Sequence, residues 1–590
     1  MKNLILISTI LISSLSARSQ LFELRTDMPF SEVADDSRSA NWVDPYNLGK
    51  PGIFFSNGPS SGQDNTFYFY NEGTGEYVAS ATSPFTSDGA PSDGATFADV
   101  LNDGYLGCFV ANWYGEDNLL YLYSEEWNWL EPVTDGPVTN TPSYSETGAW
   151  GDANLDGFVD LYVTNSADDN TKNFFYLNEG DGTFTEVETG AFVTSQGKSR
   201  SVTWADFNND GVEDILVTNE DNEQNILYRN DNFLNFTPVD AGDLTNDTGN
   251  SMSGTWGDYD NDGDLDVFVS NYGQNNMLYR NNGDETFTAM EESVVSQDGG
   301  LSFGANWGDF DNDADLDLFV GNAFSDGDEL ADFLYLNNGD GSFTKVTDDE
   351  TVTNLGWTFG NAFGDMDLDG DLDLIKAKCF DGGEPNELYE NKSSQQDDPN
   401  SWIVVNCIGT ASNRSAIGAR VEITAIIDGE QVSQIREVTS QSSYCGQNML
   451  PLHFGLKDAD AIESLIVQWP IGLEEAYGNL EVNQYYNLVE ATGISTDIPE
   501  IREDISEGVN VYPNPVDDKF TLSTNLSDNT YVTLTLRNIS GQVVQDFGTR
   551  KFRSGDHSIE LNLKDEIAPG IYFLNGVSSN TAFTRKLVLK

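Results

Sequence analysis

A short acidic loop recurs along this chain at a nearly fixed spacing, and no other feature constrains the fold as much. Its clearest copies read WGDYDNDGDLDVFVSN, WGDFDNDADLDLFVGN and FGDMDLDGDLDLIKAK. Two further good copies and two degenerate ones bring the total to seven, and the loops begin at Trp42, Phe97, Trp150, Trp204, Trp256, Trp307 and Phe363. The first aspartates of successive copies lie 51 to 56 residues apart. Seven units of one length predict a repeat architecture.

The rest of each unit has the pattern of antiparallel strands. The residues after each good loop alternate between apolar and polar, and a segment such as NMLYRNNGDETFTAM (residues 276–290) follows, which has a strand–turn–strand pattern. Together with the strand that leads into the loop, each unit contains four strands. We therefore predict an all-β chain, with a seven-bladed β-propeller over residues 20–395 and two small β-sandwich domains after it.

The loop pattern D-x-[DN]-x-D-G-x-x-D is typical of a calcium site. Counting from the first aspartate, it places side-chain oxygens at positions 1, 3, 5 and 9 and a backbone carbonyl at position 7, and Ca²⁺ accepts six to eight such oxygens. An EF-hand would add a glutamate at position 12, but Val163, Val217, Val269 and Val320 are apolar there and continue a strand. The alternative is a set of solvated acidic turns, which would leave closely spaced carboxylates repelling one another.

Copies three to seven keep this pattern and predict about five Ca²⁺ sites. The side-chain ligands would be Asp152, Asn154, Asp156, Asp160; Asp206, Asn208, Asp210, Asp214; Asp258, Asp260, Asp262, Asp266; Asp309, Asp311, Asp313, Asp317; and Asp365, Asp367, Asp369, Asp373. The carbonyl ligands would come from Phe158, Val212, Asp264, Asp315 and Asp371. Ala314 replaces the turn glycine of copy six, which is expected to weaken that site. Copy two has Leu101 and Gly107 at ligand positions, and copy one keeps little beyond Asp44.

The aromatic residue two places before each first aspartate persists even where the ligands are lost. It could form a ring of ligand-stacking side chains, or it could pack between blades; the large area that an aromatic ring buries favours packing. Unit seven ends early, after NELYENKSS, whereas residues 21–25 precede the first unit. We predict that residues 21–25 pair with the strand near Leu388 and close the ring, since closure leaves fewer exposed strand edges.

The charge, the N-terminal segment and the cysteines of the chain limit which partners and which cellular location are expected. The 98 acidic and 28 basic residues give a formal net charge of −70, which disfavours binding to nucleic acid and favours cations. Residues 1–19 have the pattern of a secretory signal peptide, and no later segment is apolar for long enough to span a membrane. The cysteines are too scattered for a disulfide scaffold or a zinc site, although Cys407 and Cys445 fall in one later domain and could pair.

Three parts of the chain resemble known families. The loops, with phrases such as SFGANWGD and TFGNAFGD, resemble the FG-GAP or VCBS-like repeats of integrin-type propellers, in which the loops bind Ca²⁺ and the propeller is a binding platform. SNRSAIGARV, QIREV, HFGL and VQWP, within residues 400–492, resemble an ASPIC/UnbV domain. A propeller followed by this domain is similar to the cartilage acidic protein family, which implies extracellular calcium-linked binding.

The last part of the chain resembles an export signal. After a linker over residues 493–508, the segments VYPNPVDDKFTL, ISGQVV, GIYFL and KLVLK of residues 509–590 resemble the C-terminal sorting domain of the bacterial type IX secretion system. The resemblance implies that the type IX machinery carries the protein across the outer membrane, so that it is secreted or held at the cell surface. The alternative is one more adhesive sandwich.

Two functions remain open from the sequence. The first is a non-catalytic adhesion or binding module for a glycan or protein ligand; the second is a secreted carbohydrate-active enzyme that uses paired carboxylates. Histidine chemistry is disfavoured, because His557 lies in the sorting domain and His453 is alone in the rest of the chain. In copy two, Trp129 takes the place of a core aromatic, and Trp127 falls at a turn. Trp127, together with Trp113, is therefore a candidate ligand contact, although local packing explains it as well.

Overall fold

The computed structural model describes residues 20–590 except 72, 81–82, 125, 128, 168–171, 232–233, 326–329, 380–383, 397–398, 497–508, 517–518, 527–529, 539–542, 554, 565–566, 568–569 and 578–581. The predicted signal peptide, residues 1–19, lies outside the described residues. The described chain consists almost entirely of β-strands, so the predicted all-β class is confirmed.

From residue 22 to residue 391, the strands pair in seven four-stranded antiparallel units. Further pairing joins the fifth and sixth units into one sheet, and the first unit gains a fifth strand that is parallel to its neighbour. β1 (Phe22–Leu24) precedes blade one, which contains β2 (Ser37–Val43), β3 (Gly52–Asn57), β4 (Thr66–Asn71) and β5 (Glu76–Ala79). Blade two contains β6 (Ser92–Ala98), β7 (Gly107–Asn112), β8 (Leu119–Ser124) and β9 (Trp129–Pro132). Blade three contains β10 (Ser145–Gly151), β11 (Asp160–Asn165), β12 (Phe174–Asn178) and β13 (Phe184–Glu186).

The remaining blades repeat this order. Blade four contains β14 (Ser199–Ala205), β15 (Asp214–Asn219), β17 (Ile226–Asn230) and β18 (Phe236–Pro238), and the two-residue β16 (Glu223–Gln224) pairs with β19 (Thr248–Gly249). Blade five contains β20 (Ser251–Gly257), β21 (Asp266–Asn275), β22 (Met277–Asn281) and β23 (Phe287–Ala289). Blade six contains β24 (Gly299–Gly308), β25 (Asp317–Asn322), β26 (Phe333–Asn337) and β27 (Phe343–Val346). Blade seven contains β28 (Thr358–Gly364), β29 (Asp373–Lys378) and β30 (Glu387–Asn391).

Short helical turns lie between the blades. Three are α-helical: α1 (Ala191–Thr194), α2 (Asp243–Asn246) and α3 (Glu350–Thr353). Four are 3₁₀ turns, at Pro84–Thr86, Pro137–Thr139, Val294–Ser296 and Ser393–Gln395. Each of the first six blades is followed by one such turn, which reverses the chain from its outer strand toward the next inner strand.

The first strands of the blades form a closed ring, because each contacts the next and β28 contacts β2. The motif aromatics lie between the blades. Trp204 is buried and its indole N–H donates to the carbonyl of Ala149 in the preceding blade at 3.3 Å, and Trp42 reaches Ala362 across the junction of blades seven and one at 3.2 Å. The packing interpretation of these aromatics is confirmed, and the strand order is that of a propeller.

The ring is closed by the strand that the sequence predicted. β1 pairs antiparallel with β30, with Phe22 opposite Asn391 and Leu24 opposite Tyr389. The backbone N–H of Arg25 extends the ladder to the carbonyl of Leu388 at 2.8 Å. Phe22 is fully buried, with its ring 5.8 Å from that of Phe310. The N-terminal segment thus supplies the outer strand of blade seven.

The second domain contains two sheets that enclose one apolar core. One sheet has the order β35-β31-β39-β40 and the other has β33-β32-β36-β37, with β38 also on β36. The strands are β31 (Ser401–Ile408), β32 (Arg420–Ile427), β33 (Glu430–Glu437), β34 (Gly446–Gln447), β35 (Leu452–Lys457), β36 (Ala461–Gln468), β37 (Glu474–Tyr477), β38 (Leu480–Glu481), β39 (Gln484–Val489) and β40 (Gly493–Ser495). β40 lies in the segment expected to be linker and pairs with β39, so this sheet reaches Ser495.

The C-terminal domain also has two sheets over a separate core. Its strands are β41 (Asn510–Tyr512), β42 (Lys519–Leu526), β43 (Thr530–Asn538), β44 (Val543–Phe552), β45 (Gly555–Asn562), β46 (Gly570–Val577) and β47 (Ala582–Leu589). The sheet orders are β41-β42-β45 and β44-β43-β46-β47, an arrangement that has the character of a sandwich.

A segment of the second domain fills the central channel of the propeller. This plug, residues 439–449, contains β34, which pairs in parallel with β2 of blade one. Ser440 exchanges hydrogen bonds with the backbone of Trp150, and Ser443 accepts from the N–H of Ala305 at 2.8 Å. The remaining inner strands contact the plug at Phe97, Arg200, Ser253 and Phe363. The plug therefore holds all seven blades to one another.

The tip of the plug is Tyr444, which is fully buried. Its hydroxyl donates to the carboxylate of Glu146 at 2.7 Å, and its ring lies 5.2 Å from that of Phe359. The neighbouring Cys445 is buried in the channel, whereas Cys407 lies in the core of the second domain. The suggested pairing of these two cysteines is wrong, and all four cysteines are free. The two cysteines lie in different parts of the fold, because Cys445 enters the channel with the plug and Cys407 stays in the core of the second domain.

We expect Tyr444→Ala to destabilise the fold of the propeller and second domain by about 3–5 kcal/mol, because it removes a buried ring and leaves a cavity in the channel. Tyr444→Phe keeps the ring but removes the hydroxyl that donates to Glu146 and accepts from Arg200, so its expected cost is about 2 kcal/mol. Urea unfolding of the two variants at fixed Ca²⁺ measures the difference. Equal stability of wild type and Tyr444→Ala would show that the plug does not hold the ring together.

Candidate metal centres

The first aspartate of each loop organises the turn that follows it. In copy five, the carboxylate of Asp258 accepts the backbone N–H groups of Asp262 at 3.0 Å and Gly263 at 3.1 Å. The same two bonds are present in all seven copies, including the degenerate ones. Gly263 has a φ of +91°, and Ala314 adopts +81° at the same position in copy six, where its Cβ makes the left-handed conformation costly. The loop shape is thus preserved independently of metal binding.

The last aspartate of each loop is held by an asparagine that the sequence analysis missed. Asp266 begins β21, and its Oδ1 accepts the backbone N–H of Asn281 at 2.7 Å. The side-chain amide of Asn281 then donates to the carbonyl of Phe207, in the loop of the preceding blade, at 2.9 Å. The equivalent residues in copies three to seven are Asn178, Asn230, Asn281, Asn337 and Asn391. The repeated Tyr-x-Asn at the end of each third strand was the signal for them.

The carboxylates of the intact loops converge without enough donors to satisfy them. In copies five to seven, three carboxylates each offer an oxygen within 4.8 Å of the other two; the groups are Asp258, Asp260, Asp262; Asp309, Asp311, Asp317; and Asp365, Asp367, Asp373. Buried oxygens of Asp214, Asp260 and Asp266 have no hydrogen-bond donor. Buried oxygens of this kind are costly unless a cation or donor reaches them. The atoms that could bind a metal ion in these loops are all oxygens, which are the ligands that Ca²⁺ prefers.

The electrostatics of the loops support the same assignment. Burial, reinforced by neighbouring aspartates, raises the pKa of Asp266 to about 9 and that of Asp152 to about 8. Burial raises the pKa of Asp258 to about 7, although the positive charge of Arg436 opposes the rise. A divalent cation would stabilise the charged form of such carboxylates. In copies three and four, the asparagine at position 3 donates to the aspartate at position 5, which reduces the repulsion there.

In degenerate copy two, a guanidinium of the second domain lies beside the first aspartate. Asp99 keeps its two backbone bonds, and the Nε of Arg414 in the second domain lies 3.6 Å from Asp99 Oδ2. The adjacent Ser415 accepts the N–H of Asp99 at 2.8 Å. The loop of copy two, which lacks the full ligand pattern, therefore contacts the second domain through Arg414 and Ser415.

The second domain also contacts the intact loops. Arg420 donates to the backbone carbonyl of Asp206 in copy four at 2.6 Å, and Tyr485 donates to the carboxylate of Asp365 in copy seven at 2.6 Å. The Nε2 of His453 lies 3.0 Å from the carbonyl of Gly370, and burial lowers the pKa of His453 to about 4. The ring is therefore neutral and its N–H donates to that carbonyl, which is a structural role. The candidate metal loops thus form the interface between the two domains.

The structure separates the candidate ligand contacts of copy two. Trp127 lies in the turn between β8 and β9, on the side of the metal loops, and is 55% exposed. Trp129 is 36% exposed, stacked on Trp127 with ring centroids 6.1 Å apart, so its expected core position is wrong; Leu130 is the buried residue of this strand. Trp113 follows β7 at the opposite end of the sheet, where its indole N–H donates to Glu146 at 2.9 Å. Trp113 and Trp127 therefore lie on opposite faces of the propeller.

Comparison with protein families defines the class of this protein. The FG-GAP-like repeat matches residues 152–217, 206–269, 258–320 and 323–375. ASPIC and UnbV matches residues 409–495, and the secretion system C-terminal sorting domain matches residues 510–590. The chain therefore carries FG-GAP-like repeats in a propeller, an ASPIC/UnbV domain and a sorting domain. The sorting domain indicates export through the type IX system to the cell surface or beyond it. Within the described ranges, no helix is long and apolar enough to cross a membrane.

The chain is distantly homologous to cartilage acidic protein 1. The protein from Homo sapiens is 25% identical over 319 residues, which cover 53% of this chain and 39% of the relative. The protein from Xenopus tropicalis is 24% identical over 319 residues, which cover 53% of this chain and 40% of the relative. The chain thus spans about two-fifths of the length of these relatives. The solved Dos1 propeller aligns with a TM-score of 0.36 at 9% identity, over 63% of this chain and 95% of that chain. The propeller assignment made above depends on the strand order.

We expect Asp260→Ala to reduce the number of bound Ca²⁺ ions by one, because it removes a converging carboxylate at position 3 of copy five. Asp103→Asn, in degenerate copy two, is the matched control and should leave the number unchanged. Calcium bound per chain after equilibrium dialysis, measured by atomic emission, distinguishes the two. Equal losses in both variants would contradict the assignment of sites to individual loops.

Proposed function

We propose that this protein is an exported, calcium-stabilised binding protein without catalytic activity, whose propeller presents a surface to an extracellular glycan or protein ligand. About five Ca²⁺ ions would be held by the intact loops of blades three to seven. The observation that carries the proposal is the convergence of carboxylates in the loops of blades five to seven, together with buried oxygens of Asp260 and Asp266 that no donor in the described chain satisfies. The match to the sorting domain supplies the extracellular setting.

Calcium in these loops would serve to assemble the platform. The second domain covers the loops and sends its plug through the channel, so ions there would fix the loop surface on which that domain rests. Residues 439–449 occupy the channel, and the cavity that remains beside Trp256, Trp307 and Arg436 has a volume of about 140 Å³. This is smaller than the roughly 300–1,000 Å³ of an ordinary ligand pocket. The ligand surface is therefore to be sought on the outer parts of the blades.

The exposed Trp127–Trp129 pair is the candidate ligand surface. The planes of the two stacked rings differ by only 10°, and both rings are exposed, so they form one apolar cluster at the outer edge of blade two. Two parallel indoles suit stacking against the apolar face of a pyranose ring, in the way that aromatic platforms combine burial with defined geometry. This favours a glycan over a protein ligand.

The carbohydrate-active alternative requires two carboxylates that face each other across an open cleft. The most perturbed carboxylates that are not predicted metal ligands are enclosed. Burial raises the pKa of Asp93 to about 7, but this residue lies inside the channel beside Cys445. Burial likewise raises the pKa of Glu213, whose side chain abuts Gly418 of the second domain. These positions favour structural roles, so we retain binding as the proposed function.

Chelation of calcium is expected to lower the melting temperature of the propeller and second domain together. A site at a hundredfold excess of free ion over its Kd stabilises the native state by about 2.7 kcal/mol, because the ion binds the folded form. Differential scanning calorimetry with Ca²⁺ or with EGTA measures the shift, and Mg²⁺ serves as the control ion. A melting curve that is identical under the two conditions would refute calcium binding.

The Trp127→Ala/Trp129→Ala variant is expected to bind a glycan array about tenfold more weakly than wild type, which corresponds to about 1.4 kcal/mol. Tyr144→Ala is the control, because Tyr144 is also an exposed aromatic but lies with Trp113 on the other face. Retention of glycan binding by the double variant and its loss in Tyr144→Ala would move the ligand surface to that face. Turnover of a polysaccharide by wild type would favour the enzyme instead.

A further inference from the structure

A second set of asparagines links each metal loop to the next. Position 4 of the loop, between the ligands at positions 3 and 5, has a positive φ in every copy, and five of the seven residues are asparagine. The φ values are 52° at Asn47, 55° at Asn102, 60° at Asn209, 55° at Asn261 and 60° at Asn312. Leu155 and Leu368 adopt the same conformation, so the turn does not require asparagine. The amide therefore has another use.

The amide of each of these asparagines donates to the loop of the following blade. Asn261 donates to Asp315 Oδ1 at 3.1 Å and to the carbonyl of Ala314 at 3.2 Å. Asn312 donates to Asp371 Oδ1 at 2.9 Å. The acceptors belong to positions 6 and 7 of the next loop. Position 7 is also the residue whose backbone carbonyl is predicted to bind calcium. The buried Oδ1 atoms of Asn261 and Asn312 accept no hydrogen bond, so the donation is what these two side chains contribute.

Asparagine at position 4 and aspartate at position 7 occur together across the junctions of blades four to seven, whereas Asn47 and Asn102 donate to the position-6 carbonyls of Gly104 and Gly157. Position 7 is an aspartate in copies five, six and seven, and each of these aspartates accepts from the asparagine of the copy before it. Where position 4 is Leu155, position 7 of the next loop is Val212. The aspartate at position 7 is therefore explained by the link between loops, since only the backbone carbonyl of that residue is expected to bind the metal.

We propose that Asn261 and Asn312 couple the calcium sites of blades five, six and seven, so that these three sites fill cooperatively. The inference rests on the proposed binding of calcium. An ion in one loop fixes positions 3 and 5, and with them the position-4 amide between them. That amide orders positions 6 and 7 of the next loop. The loop therefore loses less conformational entropy when its own ion binds, and the second ion binds more tightly. Asn209 makes the corresponding link from blade four to Asp264 of blade five. The side-chain oxygen of Asn209 also accepts a hydrogen bond from Arg420 of the second domain.

The asparagines at the ends of the third strands do not explain why cooperativity is expected only among the sites of blades five, six and seven. Asn230 joins blade four to the loop of blade three in the same way that Asn337 joins blade six to blade five, so their contribution is uniform around the intact copies. The position-4 link is absent between copies three and four, where Leu155 replaces asparagine. Cooperativity carried by position 4 is thus confined to the later blades.

The test is a calcium titration of the full chain against a chromophoric chelator. Asn261→Gly/Asn312→Gly removes both amides, and glycine tolerates the positive φ. We expect the variant to bind the same number of ions as wild type, with a Hill coefficient that falls to about 1 and a half-saturating concentration that rises about five- to tenfold. Asn47→Gly is the matched control, because Asn47 donates to Gly104 between two loops that lack the calcium ligands. Melting in saturating Ca²⁺ confirms that each variant folds.

A double-mutant cycle identifies the route of coupling. Asp367→Ala disables the site of blade seven, and we expect it to weaken calcium binding at the remaining sites in the wild-type background but to leave it unchanged in the Asn312→Gly background. Non-cooperative binding by wild type, or cooperativity that survives in the double glycine variant, would overturn the coupling while leaving calcium binding intact. Absence of calcium binding by wild type would overturn the proposed function and the coupling together.

Discussion

The crowding of carboxylates within each intact loop is the constraint on which the rest of the propeller depends. Every loop joins the inner strand of a blade to the second strand, so the turn must be tight, and the first aspartate secures it by accepting two backbone N–H groups. The same tightness brings three carboxylates together in copies five to seven and buries the first aspartate of each of these loops. A bound cation would offset the repulsion among these carboxylates. Under the proposed function, calcium has this role in the intact copies, and in copy two the guanidinium of Arg414 lies beside Asp99.

The second domain is joined to the propeller through this same charge balance. Its Arg414, Arg420 and Arg436 lie against acidic loops, and its plug carries hydrogen-bonding side chains along the channel to Tyr444. A channel of seven inner strands leaves backbone and side-chain groups facing inward, and the plug pairs many of them. The two domains are therefore joined both at the loop face, where the second domain contacts the loops, and in the channel, which its plug occupies. The surface left for a partner is the outer edge and the far face, where Trp127, Trp129 and Tyr144 are exposed.

The repeat made the fold unusually accessible from the sequence. Strand number per unit, the position of each loop and the pairing of residues 21–25 with β30 all followed from the spacing, because each unit had to repeat the same local solution. Local reasoning failed where the repeat was broken. Trp129 was placed in the core by analogy with Phe184, but copy two has a shifted pattern in which Leu130 takes the buried position. The suggested pairing of Cys407 with Cys445 is wrong because Cys445 lies in the plug, inside the channel, away from Cys407 in the core of the second domain.

The sequence by itself determined the architecture of the repeat and the chemistry of the loops, since strand alternation, turn residues and ligand spacing are local properties of about fifty residues. The tertiary structure decided how those loops relate to one another and to the second domain. The bond from Asn261 to Asp315 joins residues 54 positions apart, and the bond from Tyr485 to Asp365 joins residues 120 apart. No periodicity in the chain specifies such partners, because the closure of the ring and the entry of the plug bring them together.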